Sequence, residues 1–298
     1  MNKIVVIGAN SFIARNLIYR LNETQRFELK LYGHSESHID GLKNYEQVNV
    51  VSNAEKIDMN ADIIFMFTGR TGTAEGFEKP DEFIDVNEKA LLHVLNEYRK
   101  QKSHAKLIFP STRLIYSDNI NAHENETGTL KTIYAVNKFV CENYLRIYHE
   151  VFNVKYLILR ICIPYGTIIS GAFSYGTAEF MLKRAKSGEN ITLYGDGEIS
   201  RTLTYIGDLC DAMISGAECE ECVNDVFNIG GESYTLRDMA ELIAGKFGVK
   251  VEFVPYPEIA GKIESGHTVF NSEKFEALTG YRPIMKFSDW LEKINPSV

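Results

Sequence analysis

Ile4-Val5-Val6-Ile7-Gly8-Ala9-Asn10-Ser11-Phe12-Ile13-Ala14 is the stretch on which the rest of the chain depends. Four successive apolar residues, all of them β-branched, predict a strand. Gly8 then permits a tight turn, and Phe12, Ile13, Leu17, Ile18 and Leu21 recur at helical spacing. Gly8, Ser11 and Ala14 stand three apart, a small-residue version of G-x-x-G-x-x-G. In a dinucleotide site the first small residue allows the turn and the second lets backbone approach a pyrophosphate. The third lets helix and strand pack closely. Any strand–glycine–helix turn can produce this pattern, but its place at the first βα unit makes Gly8, Asn10, Ser11, Phe12 and Ile13 candidates for holding a dinucleotide.

Outward from this turn, short β-rich runs alternate with helical ones. Strands are expected at Phe27–Tyr32, Gln47–Val51, Asp62–Phe67, Lys106–Phe109 and Val154–Cys162. Long helices are expected over Glu82–Gln101 and Ile133–Glu150. Such alternation predicts a parallel sheet with helices on both faces. Beyond Gly166 the rhythm loosens: a helix over Ala178–Ser187, a strand at Ile191–Tyr194, a helix over Thr235–Phe247 and a strand at Lys250–Val254. The stretch Gly171–Gly176 reads as a loop between two halves. The organisation expected is α/β: a dinucleotide-binding domain over 1–166 and a smaller α/β substrate-binding domain over 167–298, with some elements interleaved.

Composition narrows the function. A chain of 298 residues, 45% hydrophobic and 24% charged, has the mixture of a soluble globular protein. A net charge of −8 argues against a general nucleic-acid surface. No apolar run nears the roughly 20 residues that span a bilayer, and the apolar part of the N-terminus is too short for a signal peptide. Five cysteines, unevenly spaced, argue against a disulfide framework and point to a reducing cytosol. Cys219-Glu220-Glu221-Cys222 has no second pair and no His at ligand spacing, so no metal site is expected.

Tyr134 and Lys138 lie four apart on one helical face. A phenol is a poor base at neutral pH, but a neighbouring ammonium stabilises its phenolate and suits it to exchange a proton with a hydroxyl. Phe109-Pro110-Ser111-Thr112 leaves a strand, so the Thr112 hydroxyl faces the crevice where such sheets bind ligands. At the end of the second strand, Tyr32-Gly33-His34-Ser35 offers no acid to read a ribose 2′-hydroxyl, and His34 with its small polar neighbours accommodates a 2′-phosphate, which favours NADP over NAD.

The glycine turn, the Ser-Thr strand end and Tyr-x-x-x-Lys together resemble the extended short-chain dehydrogenase/reductases, the nucleotide-sugar epimerase/dehydratase family, over nearly the whole chain. The resemblance implies a Rossmann-type doubly wound sheet, catalysis by Tyr134, Lys138 and Thr112, and a dinucleotide also met by His34, Asn49, Thr68, Gly69, Asn87 and Ser111. It implies that Arg201, in Arg201-Thr202-Leu203-Thr204-Tyr205, meets a nucleotide diphosphate, as suits a guanidinium, and that Tyr165 lies by the substrate beside Thr112. It further implies a homodimer built on the helices near Glu88–Lys100 and Tyr134–Glu150. Departures are Met66 for a frequent His, Asn49 near a frequent adenine-binding Asp, Ile163-Pro164 for Asn-Val, and no Arg-Pro-Gly-Asp near Gly261–Thr268. The loop Arg70–Lys79 has no assigned role.

Family members that dehydrate carry an Asp-Glu pair after the Thr. Here Arg113 and Leu114 stand there, and leucine transfers no protons. The expected function is therefore NAD(P)-dependent 4-epimerisation of a nucleotide sugar, in surface polysaccharide or sugar-nucleotide biosynthesis. NADPH-dependent 4-ketoreduction is the alternative. A non-catalytic NADP-binding redox sensor and an enzyme for a non-nucleotide substrate are the remaining readings.

Overall fold

The computed structural model describes residues 2–36, 44–169 and 176–295. Its strands run β1 (Asn2–Ile7), β2 (Phe27–Gly33), β3 (Tyr45–Gln47), β4 (Ile63–Met66), β5 (Lys106–Thr112), β6 (Asn119–Ala122) and β7 (Lys155–Ile161). They continue as β8 (Ile163–Tyr165), β9 (Ile191–Tyr194), β10 (Ser200–Tyr205), β11 (Asp225–Asn228), β12 (Glu232–Thr235), β13 (Val251–Val254) and β14 (Thr268–Phe270). Seven of them form a parallel sheet in the order β11-β7-β5-β4-β1-β2-β3. The chain moves outward from β1 through β2 to β3, then returns to build the other half from β4. The order therefore reverses between β1 and β4, and a crevice opens at the carboxyl ends of the strands there.

Alternation along β1 explains why the sheet is covered on both sides. Ile4 and Val6 face a core completed by the helices Phe12–Thr24 and Ile206–Glu218, while Val5 and Ile7 face one completed by Ala90–Lys100 and Ile133–Phe152. These four side chains are all buried, as a sheet with two covered faces requires.

A second sheet runs β12-β10-β14-β6, with β8 also paired to β10, over a separate core that includes Tyr165, Leu203, Ile243, Phe287 and Trp290. Elements are exchanged between the two layers. β6 leaves the N-terminal half to join the second sheet, and β11 returns from the C-terminal half to close the edge of the first.

Three boundaries differ from the sequence reading. The run Gln47–Val51 is not one strand: β3 ends at Gln47, and Asn49 caps the short helix Val50–Asn53 by accepting from the Val51 amide at 3.0 Å. The helix expected from Glu82 begins at Pro80, a favoured first-turn residue, and contains a π-turn over Asp85–Lys89 before Ala90–Lys100. β5 reaches Thr112, so Ser111 and Thr112 belong to the strand itself. The loop expected at Gly171–Gly176 lies outside the described residues save for Gly176.

Candidate active site

Gly8 adopts φ +84, and a Cβ there would stand 2.5 Å from the Thr68 backbone nitrogen. Both reasons require glycine, because the β1 turn presses against the end of β4. The amides of Gly8 and Ala9 donate to the Tyr32 carbonyl at 2.8 and 2.9 Å, and Ser11 caps the following helix by accepting from the Ala14 amide. Asn10 ties this turn to the end of β2: its side-chain nitrogen, with two hydrogens to give, lies 3.0 Å from Ser35 Oγ, 2.8 Å from the Glu36 carbonyl and 3.0 Å from the Tyr45 hydroxyl. Tyr45, a residue the sequence reading passed over, also donates to the Ser35 carbonyl and lies where a Gly33 side chain would be. Its signal was weak, an aromatic at the start of a three-residue edge strand.

A cavity of 530 Å³ opens at this junction, lined by Gly8, Asn10, Ser11, His34, Asn49, Thr68 and Gly69 among the expected residues. Val48, Val50, Val51 and Val86 supply apolar walls that the sequence reading did not single out. Thr68 Oγ1 is buried here without a hydrogen-bond partner, a cost that a polar ligand would remove. An apolar slot, a glycine turn at a helix start and an orphaned hydroxyl together fit a dinucleotide.

A second cavity, of 400 Å³, shares Ser11, Phe67 and Gly69 with the first. It is lined by Phe12, Ile13, Ser111, Thr112, Arg113, Tyr134 and Lys138, with Cys162, Ile163 and Pro164 from the second layer. Thr132 caps the helix Ile133–Phe152 by accepting from the Ala135 amide at 3.1 Å, which sets Tyr134 and Lys138 in its first turns facing β5. Lys138 Nζ donates to the Pro110 carbonyl at 2.7 Å and lies 6.0 Å from the Tyr134 ring centre. Burial lowers its pKa to about 8. Thr112 Oγ1 accepts from the Leu114 amide at 3.3 Å, leaving its own proton for another acceptor.

Four expected residues have other placements. The Ser111 hydroxyl donates to Glu142 Oε1 at 2.6 Å, so it lines the cavity with its polar atom already engaged. Glu142 is fully buried and also takes Arg160 Nε at 3.0 Å and Nη2 at 2.8 Å. Asn87 does not line either cavity; it clamps the loop instead, accepting from the Arg70 amide at 2.8 Å and donating to the Arg70 carbonyl at 3.1 Å. Beyond that clamp Arg70 pairs with Glu75 and Glu82, so the loop Arg70–Lys79 is held as a rim by its own ion pairs. Tyr165 is not brought to the second cavity: its ring packs among Tyr205, Phe287 and Trp290, and its hydroxyl donates to the Met285 carbonyl at 3.1 Å. Apolar packing wins because β8 turns that face into the second core. Arg201 is 1% exposed and spends its guanidinium on Glu264 at 2.6 Å and on the carbonyls of Gly266 and Ser200. Glu264 falls in the segment Gly261–Thr268, where the sequence lacks Arg-Pro-Gly-Asp.

Among the described residues no group of three His, Cys, Asp or Glu side chains could hold a metal, and no helix is long and apolar enough to cross a membrane. Cys219 and Cys222 are free thiols.

A model of the NAD dependent epimerase/dehydratase family matches residues 4–230. The dTDP-4-dehydro-6-deoxyglucose reductase of Escherichia coli is 29% identical over 201 residues, 65% of this chain and 61% of that protein. An epimerase of Methanothermobacter thermautotrophicus has the same fold with a TM-score of 0.87 at 18% identity, covering 98% of this chain and 90% of that one. The UDP-glucuronic acid 4-epimerase of Bacillus cereus, solved with UDP-glucuronic acid and NAD, gives 0.85 at 21% identity over 97% and 96%.

Proposed function

The chain belongs to the NAD dependent epimerase/dehydratase family, and from that membership we propose that it is a cytoplasmic nucleotide-sugar 4-epimerase working on C4, in sugar-nucleotide or surface polysaccharide biosynthesis. The observation that carries the reading is that Thr112, Tyr134 and Lys138 line one cavity whose wall is shared with the dinucleotide slot. Gly8, Asn10, Ser11, Phe12, Ile13, His34, Asn49, Thr68 and Gly69 hold the dinucleotide, whose nicotinamide supplies the acceptor and donor of hydride. The Tyr134 oxygen takes the proton of the C4 hydroxyl and later returns one. The Lys138 ammonium favours the phenolate form of Tyr134, and the Thr112 hydroxyl donates to the C4 oxygen as it becomes a carbonyl. Rotation of that ketone before reduction inverts C4 with no net change in cofactor.

The lack of an acid in Tyr32-Gly33-His34-Ser35 favours NADP, and the likeness to a reductase supports net 4-ketoreduction as the second reading. Cofactor accounting separates the two. Under the first, 4-hydroxy nucleotide hexoses interconvert while absorbance of the reduced nicotinamide stays constant. Stoichiometric NADPH loss on a 4-keto sugar, with no 4-hydroxy sugar ever inverted, would replace it by the second. In the same assays no 4-keto-6-deoxy product is expected from dTDP-, GDP-, CDP- or UDP-hexoses, because Leu114 is buried and aprotic. Exposed Val136, Ile147 and Val151 on the helix Ile133–Phe152 support a homodimer through that helix.

A further inference from the structure

Arg113 follows Thr112 directly and lines the same cavity as Thr112, Tyr134 and Lys138. Its hydrogen bonding is sparse. Nη1 donates to Ser265 Oγ at 2.8 Å, a neutral partner, and among the described residues no carboxylate forms an ion pair with it. Glu264 is the acid it feels, but that carboxylate is already joined to Arg201 Nη2 at 2.6 Å. The other groups facing it are Arg201, Cys162 and Tyr134. Burial first, then repulsion by Arg201, lowers its pKa to about 10, well below an ordinary guanidinium. A half-desolvated cation held by one hydroxyl is unstable by itself, and a protein retains it where a ligand completes it.

We propose that Arg113 binds a carboxylate carried by the sugar itself, so that the substrates are nucleotide sugars of the uronic-acid class. The proposal rests on the C4 reading above, and pyranose geometry then chooses among anions. C1, which bears the diphosphate, lies across the ring from C4, whereas C6 hangs from C5, beside C4. An arginine adjacent in sequence to the hydroxyl at the C4 oxygen is therefore placed for a group on C6. The free edge of a guanidinium matches a carboxylate through two parallel hydrogen bonds, which an ammonium cannot reproduce.

The test is calorimetric binding to the dinucleotide-loaded protein, which needs no turnover and so stands apart from whether the chain epimerises. Matched pairs are used: UDP-glucose and UDP-glucuronate, dTDP-glucose and dTDP-glucuronate, GDP-mannose and GDP-mannuronate, with UDP, dTDP and GDP alone. At least one acidic sugar binds roughly tenfold or more tightly than its neutral twin. Arg113→Met weakens that acidic sugar by roughly 10- to 100-fold, the worth of a charge-assisted pair, and leaves the neutral twin and the bare diphosphate within about threefold. Arg113→Lys falls between. The proposal is overturned if no acidic sugar is preferred in any pair. It is equally overturned if Arg113→Met weakens acidic sugar, neutral sugar and bare diphosphate alike, which would assign Arg113 to the diphosphate. Circular dichroism and dinucleotide retention of each variant confirm that the protein compared is folded.

Discussion

Replacing Tyr134 by Phe removes one oxygen and leaves the ring in place on its helix. Turnover should fall by roughly 10²–10⁴-fold, the usual share of general acid–base catalysis, with dinucleotide affinity nearly unchanged. Near-normal rates would remove Tyr134 from the mechanism. Lys138 has a different signature, because its burial is a stability matter as well. Its pKa falls from 10.5 in a solvated chain to about 8 in the fold. Between those values the unfolded chain binds more protons than the folded one, so this group's contribution to stability improves as pH rises. Lys138→Met should therefore gain stability over the parent below pH 8 and lose that advantage toward pH 10.5. The gain is bounded at about 3 kcal/mol, less about 1 kcal/mol for the lost bond to the Pro110 carbonyl. A melting-temperature difference that is flat with pH would contradict the burial argument.

At the scale of elements, the joint between β5, β7 and the helix Ile133–Phe152 is polar. Ser111 from β5, Glu142 from the helix and Arg160 from β7 meet in the interior, and Arg160 Nη1 donates onward to the Tyr116 hydroxyl at 2.7 Å. Burial opposes the charge on Arg160, yet Glu142 holds its pKa above the ordinary value. This cluster locks β5 against the helix and so fixes Thr112 relative to Tyr134. Arg160→Met leaves the buried Glu142 only Ser111 and, at 3.3 Å, the partly exposed Arg146, and should cost about 3 kcal/mol in denaturant unfolding. A loss under 1 kcal/mol would mean that Arg146 alone suffices to hold Glu142. The π-turn at Asp85–Lys89 works similarly by geometry: it turns Asn87 toward both polar groups of Arg70, and its carbonyl meets Cys141 Sγ at 3.2 Å.

Over the whole molecule, two layers exchange strands, and the cavity lined by Thr112, Tyr134 and Lys138 lies between them, with β5 on one side and Cys162, Ile163 and Pro164 on the other. Val136, Ile147 and Val151 are exposed along the helix Ile133–Phe152, Val151 to 61%. If that helix pairs with a second copy, Val151→Glu should shift the sedimentation equilibrium from dimer toward monomer by tenfold or more in dissociation constant, since a charge in an apolar contact is strongly disfavoured. A parent protein that sediments as a monomer at micromolar concentration would end that reading.

The sequence by itself determined the parallel sheet and the glycine turn, and it singled out Thr112, Tyr134 and Lys138, which the fold brings to one cavity, because those depend on local periodicity and on spacing within one strand or one helix. It also excluded a dehydratase pair, since Leu114 is legible without coordinates. Only the tertiary structure decided how polar side chains divide their hydrogen bonds. Ser111 and Arg201 have the right chemistry for ligands, yet each is engaged by a carboxylate distant in sequence, Glu142 and Glu264. Tyr165 reads as a site residue until β8 turns it into a core of aromatic rings. Arg113 reads as a mere departure from pattern until the fold leaves it, among the described residues, without an ion-paired carboxylate. Partnering across the fold follows from which elements meet, and that is settled by packing of the two layers rather than by any local pattern of residues.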